Sequence, residues 1–368
     1  MSTRSPLADA HIALGATFTD FAGWSMPVRY DSDLAEHHAV RTTAGVFDLS
    51  HMGEIRVRGA GAGAALDAAL VGRASTMALG RAAYGMLVAD DGGIVDDLVT
   101  YRLGEQEFLV VANAANAAAV ASALLERCAG FDAEVVDETA DWALVAVQGP
   151  VSVAALTPLL ATSLTDLGYY RCVATTLRVR DGSVDVLLAR TGYTGEDGFE
   201  VFAPDTEAVA VWDALLAAAR AHGGVPAGLA CRDTLRLEAG MPLYGHELSA
   251  STSPYDAGLG RVVKLDKDPG PVGLAALQAL AQEPPGRLLV GLKGAGRRAP
   301  RAGYAVVADG SPVGEVTSGA LSPTLGFPVA MAYVDVAHAG AGEVLAVDVR
   351  GTQLPVEVVA LPFYRRAR

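Results

Sequence analysis

From Arg287 onward the chain breaks into short apolar runs, RLLVGLKG, YAVVADG, SPVGEVTSG, PVAMAYVDV and EVLAVDVRG, separated at regular intervals by Gly, Pro and Asp-Gly signals. Runs of this length with turn residues between them predict β-strands, and a series of them predicts a small all-β barrel or sandwich. Just upstream, DKDPGPVG and QEPPG turn to Pro and Gly and mark a boundary region. Whatever precedes that boundary must therefore fold on its own terms.

The upstream chain mixes strands with Ala-rich helices. Its first fifty residues read as irregular and are rich in singular side chains, FAGWSMPVRY and then EHHAVRTTAGVFDLSHMGE. IRVRG predicts a short strand, and the stretch from about Ala60 to Val71 a helix. From Tyr84 to Val111 a three-stranded antiparallel meander is expected: YGMLVAD turns through DGG into IVDDLVTYRL, which turns through GEQE into FLVVAN. Ala114 to Leu125 then predicts a helix. A similar order follows, with WALVAVQG as a strand, a short helix around Val153 to Leu160, and the strands TTLRVR, VDVLLARTGY and FEVFAP. The amphipathic helix EAVAVWDALLAAARAHG closes it. Strand, helix, strands, helix builds a mixed α+β layer, so two mixed domains and one all-β domain are expected.

Composition narrows the function. The 368 residues are 51% hydrophobic and 19% charged, enough core material for several domains, and the formal net charge is −14. Such a chain lacks the positive footprint of a general nucleic-acid binder. It can still take an anionic small molecule where a few arginines concentrate. Cys128, Cys172 and Cys231 are isolated in sequence, which disfavours a zinc site or disulfide framework and fits a reducing compartment. MSTRSPLADAH lacks the core of a signal peptide and no run of about twenty apolar residues occurs, so a soluble, cytoplasmic protein is expected.

Against this background the adjacent acids of GGIVDDLVTY stand out, because carboxylates are costly in an apolar strand. Alternation puts Val95, Asp97, Val99 and Tyr101 on one face, and Ile94, Asp96, Leu98, Thr100 and Arg102 on the other. Asp96 then falls on a mixed face, where partial exposure or a neighbouring partner suffices. Asp97 is the one charge on an otherwise apolar face, and should find dedicated partners or serve a pocket. A strand end bent at the Gly-Gly turn, with both acids solvated, satisfies the same pattern.

RTGYTGEDGFE, Arg190 to Glu200, sets three glycines among Tyr193, Glu196, Asp197 and Glu200. The spacing is not that of a phosphate loop, and acids repel phosphate. A carboxylate beside an aromatic ring suits a flat, nitrogen-rich heterocycle, the acid accepting N–H donors along one edge while the ring stacks. A plain acidic turn would look alike. In GLACRDTLRLEAGMPLYGHE, Arg232 stands where a loop feeds a helix, either paired with Asp233 or Glu238 or available to a ligand carboxylate. His37, His38 and His51 lack the i, i+4 partner of a zinc helix, and no GxSxG elbow occurs, so covalent catalysis by serine or cysteine has no support.

In order, FAGWSMPVRY, EHHAVRTTAGVFDLSHMGE, GGIVDDLVTY, VVANAAN, QGP, RTGYTGEDGFE, GLACRDTLRLEAG, VGEVTSGALSPTLG and the terminal PFYR resemble the aminomethyltransferase, or T-protein, family of the glycine cleavage system. The resemblance runs from about residue 6 to residue 365. It implies an α+β three-domain cloverleaf: two mixed α/β (ferredoxin-like) units, a C-terminal all-β barrel, and a folate site in the central hole. On that scheme residues 1–280 form a folate-binding N-terminal region of two interleaved α+β domains, one spanning roughly 52–140, and residues 281–368 form the barrel.

The family takes an aminomethyl group from the lipoyl arm of H-protein and passes its carbon to tetrahydrofolate, giving 5,10-methylenetetrahydrofolate and ammonia. Tetrahydrofolate is then a co-substrate, lipoate is carried by the partner H-protein, and no metal, nucleic acid or membrane is expected. By the same resemblance Asp97 falls on the catalytic aspartate and Glu200 on the carboxylate at the pterin edge. Tyr84, Tyr169 and Tyr193 fall on aromatic residues lining the folate, Asn113 on the pocket wall, Arg232 on a folate-contacting arginine, and Arg365 is a candidate for the glutamate tail.

Arg297, Arg298 and Arg301 form a basic cluster that either meets an acidic carrier or is a solvated turn. Departures from the pattern occur at Gly260-Arg261, in DPGPVGLAAL and at Cys231, which are packing positions. The alternative reading is a tetrahydrofolate-dependent demethylase of a small methylated substrate on the same fold.

Overall fold

The computed structural model describes residues 2–367. Among these, six strands close into a barrel in the order Arg287–Gly294, Pro328–Asp335, Ser311–Leu321, Ala305–Ala308, Val344–Val349 and Thr352–Val359, the last pairing back onto the first. Alternate residues turn inward: Val290 and Leu292, Ala330, Ala332 and Val334, Leu345 and Val347, and Val356 and Val358 share one buried cluster. Two hairpins turn through Asp309-Gly310 (φ 49° and 81°) and Arg350-Gly351 (φ 55° and 83°), with both central residues left-handed. That is the type I′ geometry, whose twist matches the flanking strands.

The apolar pattern does not announce the closing strand TQLPVEVV, because Gln353, Pro355 and Glu357 interrupt it. In the structure those three face solvent while Leu354, Val356 and Val358 face the core. The strand Pro328–Asp335 is apolar at nearly every position because both of its faces are covered. Val329 and Met331, on its outer face, pack with Leu237, Leu361 and Phe363.

Upstream, Cys172–Val179, Gly182–Ala189, Gly198–Pro204, Trp142–Gln148, Gly45–Asp48 and Val225–Pro226 form one sheet in that order. The helix Ala208–Arg220 carries Ala208, Val211, Trp212, Leu215, Leu216 and Ala219 on a single stripe, buried with Val145, Val147 and Val201 of the sheet. A second sheet orders the strands Ala82–Val88, Ile94–Gly104, Glu107–Ala112, Gly53–Arg58 and Glu134–Asp137, which includes the expected meander. Its helices are Ala62–Ala69 and Ala117–Cys128. A Cβ on Gly53 would come within 2.5 Å of the Ala117 Cβ, so glycine permits that helix its close approach. Mixed α+β layers followed by a C-terminal closed barrel are the fold class the sequence predicts.

The first fifty residues, expected to be irregular, are ordered. They form the helices Ala8–Ala13 and Asp33–Thr42 and a sheet of Thr3–Arg4, Trp24–Arg29 and Thr17–Phe21. What holds them is a buried polar chain rather than an apolar period. The Ser5 hydroxyl donates to Asp48, which also accepts from the Ser50 N–H at 2.9 Å and meets His11 Nε2 at 2.9 Å. His11 Nδ1 in turn lies 2.9 Å from the Tyr30 hydroxyl, and its ring stands edge-on to Trp212. Burial alone would raise the Asp48 carboxyl, but His11, Ser5 and the Ser50 N–H together hold it below its usual range.

The chain divides into two compact units. One takes Met1–Ala69, Arg73–Tyr84 and Leu98–Asp233, and the other takes Leu70–Gly72, Gly85–Asp97 and Thr234–Arg368. In the second unit Met86, Val88 and Ile94 of the meander are buried with Val71, Leu248, Ala257 and Leu277. Leu277 comes from the helix Leu274–Gln282, which lies between the two Pro/Gly stretches expected to mark a boundary. No helix among the described residues is long and apolar enough to cross a membrane.

Candidate active site

The segment RTGYTGEDGFE is built around the buried amide of Gln148. Its Nε2 donates to Thr191 O at 3.0 Å, and its Oε1 accepts from the Thr194 hydroxyl at 3.0 Å. A Cβ on Gly192 would lie 1.9 Å from Gln148 Oε1, and one on Gly198 2.4 Å from its Nε2. Those two glycines are therefore steric requirements.

The acids of this segment divide by partner. Glu196 pairs with Arg41 at 2.9 Å, both buried, and Asp197 takes Arg190 in a two-pronged contact of 3.0 and 2.6 Å. The loop does not present all its acids; two of the three it carries hold the backbone in place.

Glu200 is the third, on the strand Gly198–Pro204 opposite Ala146 and Ala189. One of its oxygens accepts from the Thr191 hydroxyl and, at 3.3 Å, from the Tyr101 hydroxyl. Burial, then the Glu200 charge, pushes the Tyr101 phenol well above its usual range, so Tyr101 stays a donor. Tyr101 and Thr191 escaped the sequence reasoning; the signal for Tyr101 was its place on the strand face of Asp97.

Arg232, within the helix Leu229–Glu238, lies over the Tyr193 ring, 4.9 Å from its centroid. Pairing with Asp233 or Glu238 is one of the two readings that the sequence leaves open for Arg232. Glu238 is engaged by the hydroxyls of Ser322 and Thr324, while Arg232 Nη1 is buried with no hydrogen-bond partner among the described residues. Burial lowers the guanidinium pKa, opposed by the Glu200 charge. Beside it His51 is buried, edge-on to Phe21, and burial draws its ring down to about 4, with Asp48 opposing and Arg232 adding to the shift. Glu200, Tyr193 and Arg232 thus offer acceptors, an aromatic face and an unsatisfied cationic donor to a ligand.

The alternation of Asp96 and Asp97 holds from Ile94 to Thr100, but the expected exposure of the Asp96 face is corrected. Asp96, expected on a partly exposed face, is fully buried, as are Ile94, Leu98 and Thr100 beside it. Asp97 is half-buried, with Val95 and Val99. Arg102 misled the pattern: it lies near the strand end, where its guanidinium donates to the carbonyls of Met77, Glu105 and Gly104. Tyr244, which the sequence did not single out, feels both aspartates; burial, then Asp96 and Asp97, raises its phenol.

The remaining candidates are more dispersed. Tyr84 is half-buried in Ala82–Val88, and Tyr169 is 48% exposed with its ring 4.9 Å from Tyr170. Asn113 follows Ala112, whose register partner is Leu98, the residue after Asp97. Arg365 is exposed near the C-terminus, and Arg297, Arg298 and Arg301 lie exposed around one turn of the barrel domain. Cys128, Cys172 and Cys231 are buried and form no disulfide among the described residues.

Comparison with known proteins meets this architecture at both ends. Residues 7–267 match the GCVT N-terminal domain, and residues 287–365 match the glycine cleavage T-protein C-terminal barrel domain. The mixed α+β layers and the C-terminal barrel thus carry the two domains of the glycine cleavage T-protein class. The chain is 60% identical to the aminomethyltransferase of Saccharopolyspora erythraea over 99% of this chain and 98% of that protein. It is 58% identical to that of Streptomyces coelicolor over 99% and 98%. The crystal structure of glycine cleavage system aminomethyltransferase T from Bartonella henselae superposes with a TM-score of 0.91 at 37% identity, covering 99% of this chain and 98% of that one. The chain belongs to the glycine cleavage T-protein (aminomethyltransferase) family.

Proposed function

We propose that this transferase moves a one-carbon unit from an aminomethyl-dihydrolipoyl arm, carried by H-protein, to tetrahydrofolate. The observation that carries the reading is the meeting of Glu200, Tyr193 and Arg232. A carboxylate held by two hydroxyls accepts the N–H donors of a pterin edge, the tyrosine ring gives it a face, and Nη1 of the buried guanidinium, without a hydrogen-bond partner among the described residues, donates to a ligand acceptor. Residues 1–280 are taken as the folate-binding region. Tyr84, Asn113 and Tyr169 line the folate, and Arg365 meets its glutamate.

In the balanced reaction, N5 and N10 of tetrahydrofolate each lose a proton and gain a bond to the methylene carbon. That carbon gives up its bonds to sulfur and nitrogen, releasing ammonia and the dihydrolipoyl thiol. Asp97 is assigned the catalytic role: its carboxylate orients the reacting nitrogens and stabilises cationic character as the carbon changes partners. Half-burial suits this, because Asp97 can reach a ligand while Asp96 beneath cannot.

The test is ammonia release from aminomethyl-loaded H-protein with tetrahydrofolate, for wild type and Asp97→Asn. Release that needs both partners and collapses in the variant supports the assignment. Release that survives the substitution removes Asp97 from the mechanism. Tetrahydrofolate binding without release would favour a demethylase of a small methylated substrate.

A further inference from the structure

We propose that the Tyr244 hydroxyl is a second catalytic group of the transfer, donating a hydrogen bond to the sulfur of the lipoyl arm as that sulfur leaves the one-carbon unit; this rests on the reaction reading above. The turn that carries Tyr244 is closed and fixed. Tyr244 and Leu248 form an isolated bridge, and Leu243 O accepts from the N–H groups of His246 and Glu247 at 3.1 and 3.0 Å. The Leu243 N–H donates to Glu247 Oε2 at 3.0 Å, and the same oxygen takes the Arg236 guanidinium at 2.8 Å, both side chains being buried. His246 Nδ1 lies 3.3 Å from Thr317 O. The two ionisable neighbours of Tyr244 on its own turn are thus engaged elsewhere, and the tyrosine stands on a rigid support.

That support runs along the start of the strand bearing the aspartates. The Ile94 N–H donates to Thr252 O at 3.0 Å, and a Cβ on Gly93 would lie 2.1 Å from Ala250 O. Leu248 is buried with Ile94, and half-buried Tyr244 packs against the same cluster. The charges of Asp96 and Asp97 both act on its phenol. Burial first, then these charges, keep the proton on the oxygen. Tyr30, Tyr101 and Tyr333 also feel a carboxylate, and each is hydrogen-bonded inside the protein. The Tyr244 hydroxyl has no such bond among the described residues, while Tyr255 in the same cluster feels burial and no carboxylate. Tyr244 is therefore a protonated donor, beside the acid assigned to catalysis, with its hydrogen still to give.

The reaction has a use for such a donor. As the carbon changes partners it gains cationic character, which a carboxylate stabilises, while the sulfur takes the electron pair of the carbon–sulfur bond. An ionised carboxylate only accepts hydrogen bonds and cannot serve that sulfur; a phenol can. The proton that finally makes the thiol is one of the two lost by N5 and N10, so Tyr244 lends a hydrogen bond and keeps its own proton.

The experiment is steady-state ammonia release from aminomethyl-loaded H-protein with tetrahydrofolate, alongside tetrahydrofolate titration and urea unfolding. It compares wild type, Tyr244→Phe and the full chain with a fluorinated tyrosine in place of Tyr244. Tyr244→Phe should lower kcat about 10²-fold, as loss of one preorganised donor does, with folate affinity, KM for loaded H-protein and the urea midpoint close to wild type. The fluorinated chain, whose phenol ionises at lower pH, should match wild type at the acid end and lose kcat as pH rises through that ionisation. A packing role would not produce that limb. Turnover of Tyr244→Phe at the wild-type level, or a fluorinated chain with the wild-type pH profile, overturns the assignment and leaves the reaction reading intact. Weaker folate binding with unchanged kcat would make the hydroxyl a binding contact and also overturns it. Should Tyr244→Phe fail to fold, the fluorinated profile decides alone. No release by wild type overturns the reaction reading and this assignment with it.

Discussion

Arg232 lies 4.9 Å from the centroid of the Tyr193 ring, yet its Nη1 is buried without a hydrogen-bond partner among the described residues. A charge so placed costs stability in the free protein. Replacing it by an apolar side chain of similar reach should therefore leave stability unchanged or raise it, while ligand affinity falls. Arg232→Met is expected to keep or increase the thermal midpoint and to weaken tetrahydrofolate binding by about 1.5–3 kcal/mol, the range for a hydrogen bond to a charged group. Thermal unfolding and titration on the same preparations check this; a variant that loses both properties together would show that Arg232 is part of the scaffold.

The two aspartates should separate in the same way. Asp97→Asn is expected to lower turnover by about 10²–10³-fold, as removal of an electrostatic stabiliser does, with little change in the urea midpoint. Asp96→Asn disturbs a fully buried carboxylate and should cost about 1–3 kcal/mol of stability. Turnover per folded molecule should survive in the second variant.

Gly192 is expected to tolerate no side chain while Gln148 is present. The added methyl of Gly192→Ala would fall 1.9 Å from Gln148 Oε1, and overpacking of this kind costs about 1–3 kcal/mol. In a double-mutant cycle, Gln148→Ala should recover part of that loss, and additive effects would refute the steric account.

His51 predicts an acid-side loss of stability. Its pKa falls from 6.5 to about 4 on burial, so the unfolded chain binds the proton more tightly than the folded one. Stability from this group is fully present above 6.5 and is lost as pH falls toward 4, by an amount of about 3 kcal/mol in the whole window. Urea midpoints measured across that window should decline for wild type and less steeply for His51→Gln. Asp48, also depressed, adds a loss in the same direction below its usual 3.8.

Periodic apolar patterns carried most of the fold. Trp212 and its neighbours announced their helix, and the Val-rich runs after Arg287 announced the barrel. The elements that escaped are held by something other than an apolar period. Ser5, His11, Tyr30 and Asp48 order the first helices through hydrogen bonds between residues far apart in sequence. At the candidate site Glu200 and Arg232 were visible as unusual charges, but the partners that distinguish Glu200 from Glu196 and Asp197 depend on the tertiary fold. Strand alternation separated Asp96 from Asp97 correctly but left the Asp96 face partly exposed, because its cover comes from residues such as Leu248 and Leu277, far along the chain.

The barrel closes when Thr352–Val359 pairs with Arg287–Gly294, through Gly291 opposite Val359 and Gly294 opposite Val356. During synthesis the first strand of the barrel is complete more than fifty residues before the last one exists. Until then one side of that strand is an open edge, able to pair with another chain. A ribosome that stalls or a protease that cuts just before Thr352 would leave not a shortened barrel but a sheet with two raw margins. Pairing of Thr352–Val359 with Arg287–Gly294 is thus the step at which this domain passes from an open-edged sheet to a closed one.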